Sequence, residues 1–180
     1  MVRTIMIILG SVLILSACQK SLGVRESAAG ADFVQLQGAE LVLHSPLLVP
    51  AGNARVYVQG GRAGAGFDQY KPHCAFEIQR VDHSGFTIKP DTFRITLVQG
   101  SLQSVVMLEP IKVAGLHLAA LYDRGGSAYH EGYHFWLASE RQPEVRRMTC
   151  YGTYAEPPDL QPPTLQEIRG ALGGIAELRR

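Results

Sequence analysis

The chain has 180 residues, 46% of them hydrophobic and 18% charged, with Lys+Arg 17 against Asp+Glu 16. That length gives one domain a core of its own and is short for two, while the hydrophobic fraction excludes a disordered tail. The charge balance excludes an electrostatic binder of nucleic acid or anionic membrane, and Gly 19 with Pro 10 point to many turns rather than to a helical bundle.

Arg3 is the only charge ahead of the apolar stretch Ile5 to Leu15. That stretch is too short to remain as a bilayer-spanning helix and reads as the core of a signal peptide over residues 1–17. It runs into Leu15-Ser16-Ala17-Cys18, which resembles the lipobox of bacterial lipoproteins. The resemblance covers only this segment. It implies that the Cys18 thiol receives a diacylglycerol, that cleavage makes Cys18 the first residue, and that its amine is acylated too, with no other cofactor. Gln19 is not the Asp that resembles an inner-membrane retention signal, which favours the outer membrane; Lys20-Ser21 looks like the retention pair of pseudomonad lipoproteins, which leaves the inner membrane open. The 17 basic residues less Arg3 leave 16 against 16 acidic ones. Anchoring of the mature chain, whose formal net charge is zero, is therefore expected to come from lipid. With Cys18 acylated, Cys74 and Cys150 remain as an even pair in an exported protein, and a disulfide between them is expected.

Residues 18–39 read as a flexible tether, since Ser, Ala, Gly, Gln and isolated charges show little periodicity. A single β-rich periplasmic domain is predicted over 40–180. Glu40 to His44 and Arg55 to Gln59 alternate as strands, with turns at Pro46, Pro50 and Gly52-Asn53 between them. Gly60 to Gly66 is a loop without the G-K-[ST] of a phosphate cradle. From Cys74 to Glu109 the alternation predicts a four-stranded antiparallel meander, broken at Asp82 to Gly85, at Pro90-Asp91 and at Gln99-Gly100. Strands are expected within Ile111 to Tyr122, and a hairpin joins Tyr133 to Ser139 with Val145 to Tyr151. Pro157-Pro158 and Pro162-Pro163 bracket an extended linker, after which the capping box Thr164-Leu165-Gln166-Glu167 opens a helix predicted over 164–178. Its three glycines require that it pack on the sheet or on a partner. The fold class is thus mainly β, an antiparallel sandwich or barrel-like domain with a C-terminal helix.

His130-Glu131-Gly132-Tyr133-His134 matches H-E-x-x-H, in which two His one helical turn apart hold zinc and the Glu is the general base. Gly132 and the following Phe135-Trp136-Leu137 favour a strand instead, where His130 and His134 would stand about 13 Å apart. The metzincin third ligand is also missing, because its positions hold Leu137 and Glu140. No G-x-S-x-G surrounds any serine. His73 could activate the Cys74 thiol only if the disulfide did not form; His83 falls in a turn and His117 on an apolar run. Arg146-Arg147 could contact lipid head groups or anionic glycan. Tyr129, Tyr133, Phe135, Trp136, Tyr151 and Tyr154, with Tyr57, Phe67 and Tyr70, either fill a core or line a protein- or sugar-binding surface.

The expectation is a lipid-anchored envelope protein that acts by binding, as an accessory or assembly component in the periplasm, rather than an enzyme. Its expected partners are the membrane and an envelope protein or glycan, with no nucleic acid. The alternatives are a zinc-dependent peptidase or hydrolase using His130, Glu131 and His134, and a β-barrel carrier of an apolar ligand.

Overall fold

A computed structural model describes residues 21–104, 129–155 and 159–180. Over the described residues the chain is mainly β, and its principal sheet has eight antiparallel strands curled into a half-barrel, with one short helix near the C-terminus. In chain order the strands are β1 (Gly23–Arg25), β2 (Phe33–Gln35), β3 (Glu40–Leu43), β4 (Leu47–Val49), β5 (Arg55–Gln59), β6 (Arg62–Gly64), β7 (His73–Ile78), β8 (Phe86–Ile88), β9 (Asp91–Ser104), β10 (Tyr129–Ala138) and β11 (Val145–Tyr151), followed by helix α1 (Leu165–Leu172) and β12 (Ala176–Arg179). The large sheet runs β12-β3-β9-β10-β11-β7-β5-β6, beside the two-stranded pairs β1-β2 and β4-β8.

Alternation divides the large sheet into two faces. One carries Val56, Phe76, Phe93, Ile95, Phe135 and Met148, all fully buried, and is covered by α1 through Leu165, Ile168, Ala171 and Leu172 and by Val24 and Val34 of the β1-β2 hairpin. The capping box forms as the sequence predicts: the Thr164 side chain accepts from the Glu167 amide while the Glu167 carboxylate accepts from the Thr164 amide at 2.7 Å. Cys74 faces Cys150 across β7 and β11, and the two are joined by the expected disulfide.

Two bulges decide which side chains reach the opposite face. On β9, Trp136 pairs with Leu97 but Leu137 pairs with Ile95, so Thr96 is the extra residue. On β11, Val145 pairs with Ile78 and Arg147 with Glu77, so Arg146 is extra. The first bulge keeps Ile95 in the core while turning Leu97 away from it. The second brings Arg146 and Arg147 together over the Trp136 ring, at 5.0 and 5.5 Å.

Four expectations are corrected. Residues 21–39 are not a tether: Val24, Val34, Leu36 and Ala39 are buried, and the Leu22 amide donates to the Val98 carbonyl at 2.9 Å. The meander is not one, because β7 lies between β11 and β5, β8 pairs with β4 in a separate two-stranded sheet, and Gln99-Gly100 is interior to the continuous strand β9. The Gly-rich loop is in part a hairpin, with Gly60 and Gly61 at φ 56° and 73° joining β5 to β6. The helix stops at Leu172 rather than at 178: Gly173, at φ 55°, caps it, and Leu178, in β12, pairs with Leu41 of β3. The expected strands in Ile111 to Tyr122 lie outside the described residues.

Candidate functional site

On the face away from the core, strand pairing sets Tyr151 opposite both His73 and Gly132, and His130 opposite Gln103. Gly132 is required here, because a Cβ on it would stand 2.1 Å from the Cys150 carbonyl oxygen and 2.7 Å from the Tyr151 ring. The Tyr151 ring therefore comes close over Gly132, and its hydroxyl meets Ser101 Oγ at 2.9 Å. Residues 67–72 come over from beyond β6. Gln59 fixes them by accepting from the Asp68 amide and donating to the Asp68 and Lys71 carbonyls. Asp68 accepts from the Tyr70 amide and pairs with Lys71 at 3.2 Å, contacts that hold its carboxyl below the usual range.

This packing encloses an aromatic cluster. Phe67 stacks on His73 with ring centroids 3.7 Å apart, and Tyr57 lies 4.7 Å from Phe67. His130 meets His73 edge-on at 5.4 Å, and Tyr151 and Tyr154 flank it at 5.9 and 5.8 Å. His73 is 2% exposed and His130 3%. The His73 Nδ1 lies 3.3 Å from the Lys71 carbonyl and the His130 Nδ1 3.2 Å from that of Gly152. A carbonyl only accepts, so both imidazoles carry their proton on Nδ1 and present Nε2 as a lone pair. Burial drives the His73 pKa down to about 4, partly opposed by the Lys71 carbonyl, and burial likewise lowers that of His130. Both rings are neutral at pH 7. The His130 Nε2 is buried with no hydrogen-bond partner among the described residues. Beside it a cavity of about 120 Å³ is lined by Arg55, Tyr57, Phe67, His73, Ala75, Glu77, Gln103, His130 and Tyr151.

A second polar row continues along the same face. Arg147 pairs with buried Glu77 at 2.8 Å, and Thr149 Oγ1 donates to Glu77 Oε1 at 3.1 Å. That orients Thr149 to accept from His134 Nδ1 at 2.8 Å. Burial first, and the nearby Arg147 charge second, lower the His134 pKa. Trp136 Nε1 donates to Gln99 Oε1 at 2.6 Å.

The H-E-x-x-H residues thus lie on β10, a strand, and have separate surroundings: His130 enters the cavity, His134 joins Thr149, and Glu131 stands opposite Leu102 on the other face. The helical zinc-peptidase arrangement is not formed, and among the described residues no group of three or more His, Cys, Asp or Glu could hold a metal. His73 and Cys74 point to opposite faces, with Cys74 in the disulfide, and His83 is exposed in its turn. Cys18 and His117 lie outside the described residues. Sequence reasoning did not join His73 to His130, nor bring Phe67 to them.

A larger depression, of about 740 Å³, lies among Ile78 to Ser84, Phe86, Pro143 and Glu144. It is open and bordered mostly by exposed side chains, whereas the small cavity is lined in part by His130, the residue whose buried Nε2 is unsatisfied. Among the described residues no helix is long and apolar enough to cross a membrane. No protein-family model, curated protein or solved structure matches the chain.

Proposed function

We propose that this is a lipid-anchored cell-envelope protein that acts by binding, and that its point of contact is the cavity between His73 and His130. The partner, an envelope protein or glycan, places a hydrogen-bond-donating group there. The observation that carries the reading is the orphaned His130 Nε2. A buried acceptor without a partner costs about 1–3 kcal/mol, and an incoming donor would recover that cost. Neutral imidazoles and aromatic faces suit an amine or hydroxyl, and 120 Å³ suits the end of one side chain or part of one ring. Exposed Tyr70 stands 5.7 Å from Tyr154, which in turn flanks His130 at 5.8 Å, so it marks the protein surface nearest this cluster of rings.

The test uses the full chain in its own membrane, with a photo-crosslinking residue in place of Tyr70 and, as control, in place of Leu48. An adduct that forms at Tyr70, is absent at Leu48, and is lost on His130→Phe supports the reading. Equal adducts at both positions overturn it. For the anchor, the Cys18→Ala protein is expected in the soluble fraction, and its retention on membranes after a high-salt wash overturns that part.

A further inference from the structure

We propose that the surface carrying Leu22, Phe33 and Leu102 rests on the leaflet that holds the lipid of Cys18, so that the domain lies against the membrane rather than swinging above it. The proposal rests on acylation of Cys18. The structure supplies the distance: the chain is locked to the sheet from Ser21 onward, where Ser21 Oγ accepts from the Val98 amide at 3.0 Å and the Leu22 amide donates to the Val98 carbonyl. Three residue steps separate Cys18 from Ser21 and span about 11 Å at most when fully extended. The zone between hydrocarbon and water is itself about 5–8 Å deep on each side. A flexible coil of 22 residues would give a root-mean-square reach of about 25 Å; this connection cannot.

What the protein presents at that point is apolar. Leu22 is 46% exposed, Phe33 64% and Leu102 63%. All three lie close to the point where the chain joins the sheet, Leu22 and Leu102 on the sheet side and Phe33 on the outer face of the hairpin. Leu22 lies 3.3 Å from the place a Cβ on Gly100 would occupy, and Leu102 is the next residue on that face of β9. The Phe33 ring lies 3.7 Å from the corresponding point on Gly23, the residue after Leu22. Phe33 also pairs across the hairpin with Arg25, whose guanidinium donates to Gln161 Oε1 at 2.7 Å. Exposed aromatic and aliphatic side chains are what an interfacial surface buries among the head groups.

The test places a nitroxide at Gln35, on the outer face of the hairpin with Phe33, through Gln35→Cys in the full lipidated protein, with Leu48→Cys as control. The protein is reconstituted in vesicles of phosphatidylethanolamine and phosphatidylglycerol. Mass spectrometry of the same sample reports whether Cys18 is acylated. The expected result is a several-fold fall in collision of the Gln35 label with a water-soluble nickel chelate, no change at Leu48, and reversal of the fall in Phe33→Ser/Leu102→Ser. A Gln35 label that stays fully aqueous on acylated protein overturns the proposal and leaves the anchor standing. Absence of acyl chains overturns both. A Gln35 label already shielded in soluble Cys18→Ala protein also overturns it, since the patch is then covered by the chain itself.

Discussion

Acidification should destabilise this protein through His73 before any carboxylate matters. The folded chain holds that imidazole neutral, with a pKa of about 4 against 6.5 when free, chiefly because it is buried under Phe67. The unfolded chain takes up a proton near pH 6.5 and the folded one does not, so this contribution is complete above pH 6.5 and is lost as pH falls towards 4. At 1.36 kcal/mol per pH unit the gap is worth roughly 3 kcal/mol, and about 2 kcal/mol of it is gone by pH 5. His130 and His134 are shifted the same way and add to the fall. Carboxylates act in a separate window. The Asp91 carboxyl is raised by its burial but lowered further by hydrogen bonds from Gln142, Ser139, Thr92 and Arg141; it ends below 3.8 and weakens the fold only at lower pH. Urea unfolding at pH 7 and pH 5 measures the difference. In His73→Phe, which retains a ring for the stack but has no proton to gain, the fall between those pH values should shrink by about 2 kcal/mol. A wild-type protein equally stable at both, or a variant that loses as much as wild type, refutes the reasoning.

Within one helical segment, Gly170→Ala and Gly173→Ala should have opposite signs. A Cβ at Gly170 meets nothing within 4 Å, and Ala there should raise stability by about 0.5–1 kcal/mol, whereas Gly173 has φ 55° and a Cβ 2.5 Å from the Gly61 Cα, for a loss of about 3 kcal/mol in thermal unfolding. Gly132→Ala should cost at least about 3 kcal/mol, because its Cβ would strike the backbone of β11; a melting temperature within a degree of wild type would show that the strands can part there. Cys150→Ser opens a crosslink with a sequence separation of 76, worth roughly 4.5 kcal/mol by chain entropy, to be read from urea midpoints with and without reductant.

The strands were legible wherever local alternation settled the matter. Arg55 to Gln59 and the hairpin of Tyr133 to Ser139 with Val145 to Tyr151 stand where periodicity puts them. What failed depended on partners remote in sequence. Val24 sits in a mostly polar stretch, and Val34 and Leu36 alternate with glutamines over only four residues, yet all three are buried in the core. Ile175 and Leu178 keep helical spacing with Leu165, Ile168 and Leu172, but two consecutive glycines let the backbone leave the helix. Pairing with β3 then claims the residues that follow. Gln99-Gly100 resembles a turn because Gly favours one; paired with His134 and Tyr133, it is the middle of the longest strand described.

The cavity could have been found from one pairing and one period. Once Cys74 and Cys150 are placed opposite each other on antiparallel strands, as the disulfide requires, His73 must face Tyr151, and alternation sends both away from the core that the cysteines enter. The β10-β11 hairpin then sets Gly132 across from Tyr151, and His130, two residues earlier, falls on the same face. Only Phe67 lies beyond that deduction, since Gln59 fixes its loop through backbone groups that no side-chain pattern announces. The catalytic pattern drew attention to His130 for the wrong chemistry. The same five residues, on a strand, separate the two histidines and turn Glu131 to the other face, leaving His130 beside His73 with an unshared lone pair in an aromatic enclosure.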